Sequence, residues 1–153
     1  MGRKSRRYIE KSKATEVVRG PSRYKFAPDV LPKYREHKPI FGFGFYLSNC
    51  KGWTFECLKN CKEFLWVFKR FKGIAGMTWQ QIVDAPKMNA HDVDWTLRTL
   101  PPKIKQLPMK WKNFPLFQFK VFQECRLFGL FDQQNVFQVL FLDRKHKVYP
   151  QDH

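Results

Sequence analysis

Three successive strand patterns in the final third of the chain constrain its fold more than any other feature. The runs Phe117 to Gln123, Arg126 to Phe131 and Val136 to Leu142 are rich in Phe, Val and Leu, which suit a pleated, buried surface. The turn-forming residues 132–135 between the last two runs predict an antiparallel hairpin. Because the last run is apolar at nearly every position, we expect it to be central and covered on both faces.

Two helices are predicted before these strands. Thr54 is a suitable N-cap for a helix that runs to about Lys72, and Thr78 caps a shorter one, Trp79 to Asp84, which Pro86 stops. Together they would form a helical hairpin. The apolar residues that recur at three- and four-residue steps on the first helix, and so predict its inner face, are Phe55, Leu58, Cys61, Leu65 and Phe68.

The order of these elements predicts the fold class. Phe41 to Leu47 alternates bulky and small residues, which predicts a first strand, whereas Met88 to Leu116 loses all period and predicts a long irregular connection. A strand, two helices, an irregular segment and three strands describe an α+β domain over residues 41–150, in which a helical hairpin packs on one face of a small antiparallel sheet.

A surplus of positive charge indicates a polyanionic partner. The 153 residues carry a formal net charge of +16, which favours nucleic acid or an anionic membrane surface. No apolar stretch approaches the roughly 20 residues that cross a bilayer, and the N-terminus lacks the apolar region of a secretory signal. We therefore expect RNA rather than a membrane as the partner, and a cytoplasmic protein, or a nuclear one in a host that has a nucleus.

Half of this charge lies in residues 1–40. They hold twelve of the 29 Lys and Arg but four of the 13 Asp and Glu, with prolines spaced through them. This composition predicts an extended basic arm that is disordered alone and ordered on a partner, although a solvated basic tail is the alternative. The arm residues expected to bind nucleic acid are Arg3, Lys4, Arg6, Arg7, Lys11 and Lys13.

A second basic pattern lies within the irregular connection. Cations alternate there with an aromatic residue, an arrangement that contacts phosphates while a ring stacks on a base. Simple solvation of a surface loop explains the pattern equally well. The residues in question are Lys103, Lys105, Lys110, Trp111 and Lys112.

The cysteines do not predict a metal site or a cofactor. Cys50, Cys57 and Cys61 are separated by six and three residues, which differs from the paired spacing typical of zinc sites. Cys57 and Cys61 are expected to be small buried groups on a helix face. A three-cysteine site completed by His91 stays open, while a loop cap is the favoured role for the cluster His91, Asp92 and Asp94.

The polar residues that follow the last strand are the candidates for chemistry. Cleavage of RNA without a metal needs a base for the 2′-hydroxyl, positive charge for the phosphorane and an acid for the leaving oxygen. His146 suits the acid or base role, and Arg126 with Lys147 would supply charge. Structural roles are the alternatives: His146 as a hydrogen-bond acceptor, Arg126 in a surface ion pair with Glu124, and Tyr149 as a packing residue.

These residues also carry a family resemblance. The segments Arg126 to Gly129, Val136 to Asp143 and His146 to Tyr149 resemble the RelE/ParE-type toxin family, and small proteins of mobile elements and prophages, over about residues 41 to 150. The resemblance implies a RelE-like fold and a metal-independent endoribonuclease that acts on mRNA at the ribosome, or a ParE-like poison of DNA gyrase. It also implies an acidic protein partner or antitoxin.

The resemblance further implies roles for single residues. Arg126 would stabilise the scissile phosphate, His146 would act as acid or base, and Tyr149 would orient or stack on the substrate. The alternative from a different class is a non-catalytic structural or accessory subunit of a ribonucleoprotein, held on RNA by its basic arm.

Overall fold

The computed structural model describes residues 33–150, which form a mixed α+β fold around one five-stranded sheet. The strands lie in the order β1-β5-β4-β3-β2. Neighbouring strands are antiparallel except β1, which runs parallel to β5. The strands are β1 (Phe41–Gly42), β2 (His91–Val93), β3 (Leu116–Phe122), β4 (Cys125–Phe131) and β5 (Phe137–Asp143).

The three C-terminal strands agree with the prediction to within one residue at each end. β5 lies between β1 and β4, and all of its residues except Gln138 are buried. The sheet is mixed rather than purely antiparallel, because β1 runs parallel to β5. The sequence did not predict this pairing, since the two strands lie far apart along the chain and no local turn joins them. The predicted first strand is also shorter than expected: the chain turns after Gly42 and returns to β5 only at Leu47, whose N–H donates to the carbonyl of Leu140.

The helices are α1 (Cys61–Ile74), α2 (Trp79–Asp84) and α3 (Pro102–Lys105). The predicted start of the first helix at Thr54 is wrong. Asn60 caps α1 by accepting a hydrogen bond from Glu63 N–H, and residues 55–57 form a separate 3-10 turn. The prediction for α2 is confirmed, since Thr78 and Gln81 form a reciprocal capping box.

The predicted inner face of α1 is also wrong. The helix buries Glu63, Val67 and Ile74 against the sheet, whereas Leu65 is 59% and Phe68 63% exposed. The helix carries apolar residues on opposite sides, so a three- and four-residue period fits either side equally well. The burial of a charged residue, Glu63, made the true inner face look polar in the sequence.

Two apolar clusters cover the two faces of the sheet. On the first face, Val67, Ile74 and Trp79 of α1 and α2 pack against Phe119 and Phe137. The second face packs against side chains from the long connection and the C-terminal loop, among them Val93, Leu100, Ile104 and Val148. The connection predicted to be irregular thus contains β2, α3 and the 3-10 turn Met109–Asn113, and it forms the second layer of the core.

The folded region includes residues 33–40, which the sequence had assigned to the arm. Tyr34 is buried and stacks on Phe131 at 3.7 Å between ring centroids. Its hydroxyl donates to Asp92 over 2.6 Å, and the Arg35 guanidinium donates to the other oxygen of the same carboxylate. Asp92 therefore anchors this segment to β2. The rest of the predicted arm, residues 1–32, lies outside the described residues.

Candidate nucleic-acid interface

An open basic groove lies between α1 and the free edge of β3. Its volume is about 520 Å³. β2 pairs with β3 only as far as Gln118, so within residues 33–150 the end of β3 has no strand on that side. Among the described residues that line the groove there are four cations and no carboxylate. The lining residues are Trp66, Lys69, Arg70, Lys87, Lys120, Val121, Phe122 and Gln123.

Arg70 holds the helix against the strand edge at this groove. Its Nε donates to the carbonyl of Val121 over 3.1 Å, a group that a neighbouring strand would otherwise bond. Partial burial lowers the pKa of the Arg70 guanidinium, which nonetheless stays charged because an arginine starts so far above neutral pH. Arg70 therefore combines a structural bond with positive charge at the groove wall.

Trp66 supplies an aromatic surface beside these cations. Its ring lies 5.2 Å from Phe122, and the Lys62 ammonium lies 5.3 Å from the Trp66 centroid. Arg144 also lies 5.3 Å from the Phe122 ring and forms an ion pair of 2.6 Å with Glu63. This ion pair is the main reason why the pKa of the Glu63 carboxyl lies below its usual range. We call Trp66 and Phe122 the aromatic wall of the groove; Lys62 contacts the first ring and Arg144 contacts the second.

Lys120 connects the groove to the polar cluster predicted from the sequence. It is the cross-strand neighbour of Arg126. Burial lowers the pKa of His146, and the positive charges of Arg126 and Lys120 lower it further. The structure therefore brings Arg126 and His146 near Tyr149, whose ring belongs to the cluster on the second face of the sheet, and the His146 and Tyr149 ring centroids lie 6.4 Å apart. None of the three lines the groove.

The side chain of Arg126 has a structural role. Its side chain donates to the carbonyls of Gln123 and Cys125 over 3.0 and 3.3 Å, and the residue is 5% exposed. These bonds close the turn between β3 and β4. The alternative ion pair with Glu124 does not form within residues 33–150. In this conformation Arg126 would reach a phosphate only if the surrounding loop moved.

His146 is equally enclosed. It is 9% exposed, and within the described residues its Nδ1 has no hydrogen-bond partner. Its backbone lies in the left-handed region at φ 56°. The carboxylate of Asp143 fixes the loop around it by accepting hydrogen bonds from Lys147 N–H and Val148 N–H.

The structure adds His91 and Gln118 to this cluster. The His91 ring packs edge-on against Tyr149 at 5.3 Å, and its Nδ1 and Nε2 contact Asp92 O and Gln118 Nε2 at 2.9 and 2.6 Å. Burial lowers the pKa of His91, with Arg126 and His146 contributing in the same direction. No spacing in the sequence indicated this contact, because a three-residue strand inside an apparent loop brings His91 to β3.

Lys147 points away from the cluster. Its ammonium lies 4.6 Å from the centroid of the Trp53 ring and contacts Gly52 O at 3.4 Å. Lys147, which was predicted to supply charge at the site together with Arg126, thus contacts Trp53. Trp53 and Tyr149 both belong to the apolar cluster on the second face of the sheet.

The basic residues of the connection also lie on the second face. The ammonium groups of Lys103, Lys105 and Lys112 donate to carbonyls of Asn49, Arg98 and Lys105. Trp111 stacks on Phe45 with 4.4 Å between centroids. The Trp111 ring thus has a partner inside the protein, and Lys110 is exposed. The predicted base-stacking role of Trp111 would require this packing to open.

The groove cations were missed in the sequence because they come from separate parts of the chain. Lys69 and Arg70 belong to α1, Lys87 to a 3-10 turn and Lys120 to β3. Only the pair on α1 is adjacent in sequence, and a charge pair on a helix is usually a solvated face. The predicted arm residues Arg3 to Lys13 lie outside the described residues.

The cysteine and acid clusters hold no metal site in the described region. Within residues 33–150, no three His, Cys, Asp or Glu side chains converge in a way that could bind an ion. Cys50 is buried and Cys61 exposed, so the predicted burial of Cys61 on a helix face is wrong. Asp94 caps its own loop by accepting bonds from Thr96 N–H and Oγ1, as the loop-cap interpretation predicted.

Comparisons with known proteins leave the geometry as the only guide to function. No protein-family model, no curated protein and no solved structure matches the chain. In residues 33–150, no helix combines the length and the apolar character that crossing a membrane demands.

Proposed function

We propose that this protein binds single-stranded RNA along the groove between α1 and the free edge of β3. The observation that carries the proposal is the convergence of Lys69, Arg70, Lys87 and Lys120 on one open groove. Like charges repel, so gathering four of them without a carboxylate costs free energy unless a polyanion neutralises them.

The aromatic wall supports a single strand rather than a duplex. Trp66 is half-buried, and the ammonium of the exposed Lys62 lies over its ring. Displacing this lysine would free a ring face for a base. Stacking on such a platform contributes about 1–3 kcal/mol per base, and the flanking cations follow the backbone. A duplex hides its bases and gains nothing from the tryptophan.

The finer features of the proposal extend beyond the groove. We include a RelE-like arrangement of residues 41–150, a basic arm that adds phosphate contacts through Arg3 to Lys13, and a cytoplasmic site of action on mRNA or the ribosome. The net charge of +16 supports the arm. The loop of Asp143 to Tyr149, directly after an antiparallel three-stranded unit, supports the resemblance.

Binding without cleavage is the function that the geometry supports best. Arg126 and His146 are buried, and Nη1 of Arg126 donates to two backbone carbonyls. A subunit that attaches to RNA needs only the groove and the arm, whereas an endoribonuclease must also expose both groups. The ribonucleoprotein subunit is therefore our first reading.

An endoribonuclease is the second candidate, and the unpaired Nδ1 of His146 favours it. The polar cluster adjoins the groove at Lys120, so a bound strand would pass beside it. An imidazole at its ordinary pKa of about 6.5 is mostly neutral at pH 7. Once the Asp143 to Tyr149 loop opened, His146 could accept the 2′-hydroxyl proton, Arg126 could stabilise the phosphorane, and the imidazolium so formed could give its proton to the departing 5′-oxygen.

Paired substitutions test the groove. We expect Lys69→Ala with Lys87→Ala to weaken binding of a single-stranded oligoribonucleotide about tenfold or more at fixed salt, measured by fluorescence anisotropy. Lys105→Ala with Lys112→Ala removes the same charge from the second face and serves as the control. An equal loss from both pairs would refute the groove as the binding site.

Incubation with RNA separates the two candidates. The subunit reading predicts that intact RNA is recovered and that His146→Asn binds as well as the wild type. Cleavage that is lost in both His146→Asn and Arg126→Ala, with 2′,3′-cyclic phosphate ends, would establish the enzyme instead. Gel analysis of end-labelled RNA and of its product ends makes the distinction.

A further inference from the structure

α1 carries a second apolar stripe that faces solvent. Cys61, Leu65, Phe68 and Lys72 follow at steps of four, three and four residues, the 3.5-residue period of a coiled-coil seam. Leu65 and Phe68 are 59% and 63% exposed, and Cys61 is exposed as well. We call these four residues the outer stripe. It lies opposite the buried face of Glu63, Val67 and Ile74.

The charges beside the outer stripe are all of one sign. Lys62 and Lys69 flank it on one side, and neither forms an ion pair within residues 33–150. The only acid of α1 is Glu63, which is buried and paired with Arg144. Phe64, which is 40% exposed, flanks the stripe on the other side. A solvent-facing helix surface with exposed Leu and Phe and unpaired lysines is typical of a docking surface.

From this arrangement we propose that the outer stripe of α1 docks an acidic amphipathic helix of a partner protein. The helix would place apolar residues on Leu65 and Phe68 and carboxylates opposite Lys62 and Lys69. α1 spans about 21 Å at 1.5 Å per residue, which suits a short seam. Leu65 and Phe68 do not line the groove, whereas Lys69 does, so a docked helix and bound RNA would compete for that lysine.

Charge complementarity selects this occupant over a second copy of the chain. Antiparallel pairing of two α1 helices would bring Lys62 and Lys69 of one copy against those of the other, and parallel pairing would place Lys72 against Lys72. The N-terminal residues 1–32 are disfavoured for the same reason, since they hold nine Lys and Arg but three Asp and Glu.

The shape of the stripe disfavours an anionic membrane. Interfacial binding grows with the apolar area that enters the lipid, and here Leu65 and Phe68 are the two large apolar residues of the outer stripe, while Lys72 interrupts the same row. A coiled-coil seam is narrow by nature. It tolerates one polar seam residue and uses flanking charges to select its partner.

A pair of synthetic peptides tests the proposal with the full-length protein. One peptide has three heptads with Leu at the seam and Glu at the flanking positions, and the matched control has Lys in place of Glu. We expect the Glu peptide to bind at least about tenfold more tightly in fluorescence anisotropy. Lys62→Glu should reverse this preference, while Lys51→Glu, the same charge change in an exposed loop, should not.

Substitutions in the stripe complete the test. Leu65→Ser with Phe68→Ser, both at exposed positions, should weaken the Glu peptide about tenfold or more and leave RNA affinity within about twofold. The proposal is overturned if the two peptides bind alike or if the serine variant binds as the wild type does. Two further results would overturn the proposal if the Glu peptide does not bind. One is a dimer in sedimentation that depends on Leu65, and the other is binding to phosphatidylserine vesicles that depends on Leu65.

Discussion

His146 is the residue whose local physics most directly limits its function. It lies in a left-handed backbone conformation that Asn and Gly adopt with less strain. It is also enclosed by a loop that Asp143 ties down through two backbone N–H groups. The sequence identified His146, Arg126 and Tyr149 as neighbours. It did not reveal that Arg126 closes a turn, because a hydrogen bond to a backbone carbonyl has no sequence signal.

The lowered pKa of His146 predicts a pH dependence of stability. Burial, the largest cause, shifts the folded pKa below the ordinary value, so the unfolded chain takes up its proton at higher pH than the folded protein. The free energy of unfolding should therefore fall as the pH drops from about 7.5 through the unfolded pKa of about 6.5. His91 contributes in the same direction.

Urea unfolding of His146→Asn at about pH 7.5 and 5.5 checks this prediction, since the variant removes the titrating group and suits the left-handed backbone. We expect its loss of stability on acidification to be smaller than that of the wild type. An identical loss in both proteins would show that His146 does not titrate between the folded and unfolded states.

At the scale of elements, the bulge between β4 and β5 makes a sharp stability prediction. A Cβ on Gly129 would lie 2.5 Å from the backbone oxygen of Gln138 and 2.6 Å from the Phe137 ring. Gly129→Ala should therefore destabilise the fold by about 1–3 kcal/mol, the usual cost of overpacking. Thermal unfolding followed by circular dichroism measures the change.

Gly73 is the matched control for this substitution. It lies in α1, and a Cβ there would meet nothing within 4 Å. Gly73→Ala should stabilise the helix by about 0.5–1 kcal/mol, because alanine loses less backbone entropy on folding. If Gly129→Ala proved as harmless as Gly73→Ala, the tight approach of β4 to β5 would be contradicted.

The elements differ in how far the sequence could predict them. β3, β4 and β5 and the helix α2 carry local signals, namely apolar runs, a turn and a capping box, and they were placed well. β2 and the pairing of β1 with β5 rest on contacts between distant residues. The sequence predicted the wrong inner face for α1, because this helix has apolar residues on two sides. The apolar residues on the second side form the exposed outer stripe.

For the whole molecule, the net charge of +16 predicts a polyanionic partner but gives no location for its binding. The sequence placed nucleic-acid contacts in the arm and in the basic connection. The structure shows the connection lysines bound to backbone carbonyls on the second face, and four cations without a carboxylate among the described residues that line the groove beside α1. Such a site becomes visible only when distant segments fold together.

The salt dependence of RNA binding tests the central claim most directly, because each phosphate contact in a single strand contributes about 0.7 to the slope of log affinity against log salt. Lys69→Ala with Lys87→Ala should reduce this slope by about 1.4, while Lys105→Ala with Lys112→Ala should reduce it less. A groove variant with the slope of the wild type would contradict the account, since lysines that contact no phosphate release no counterions.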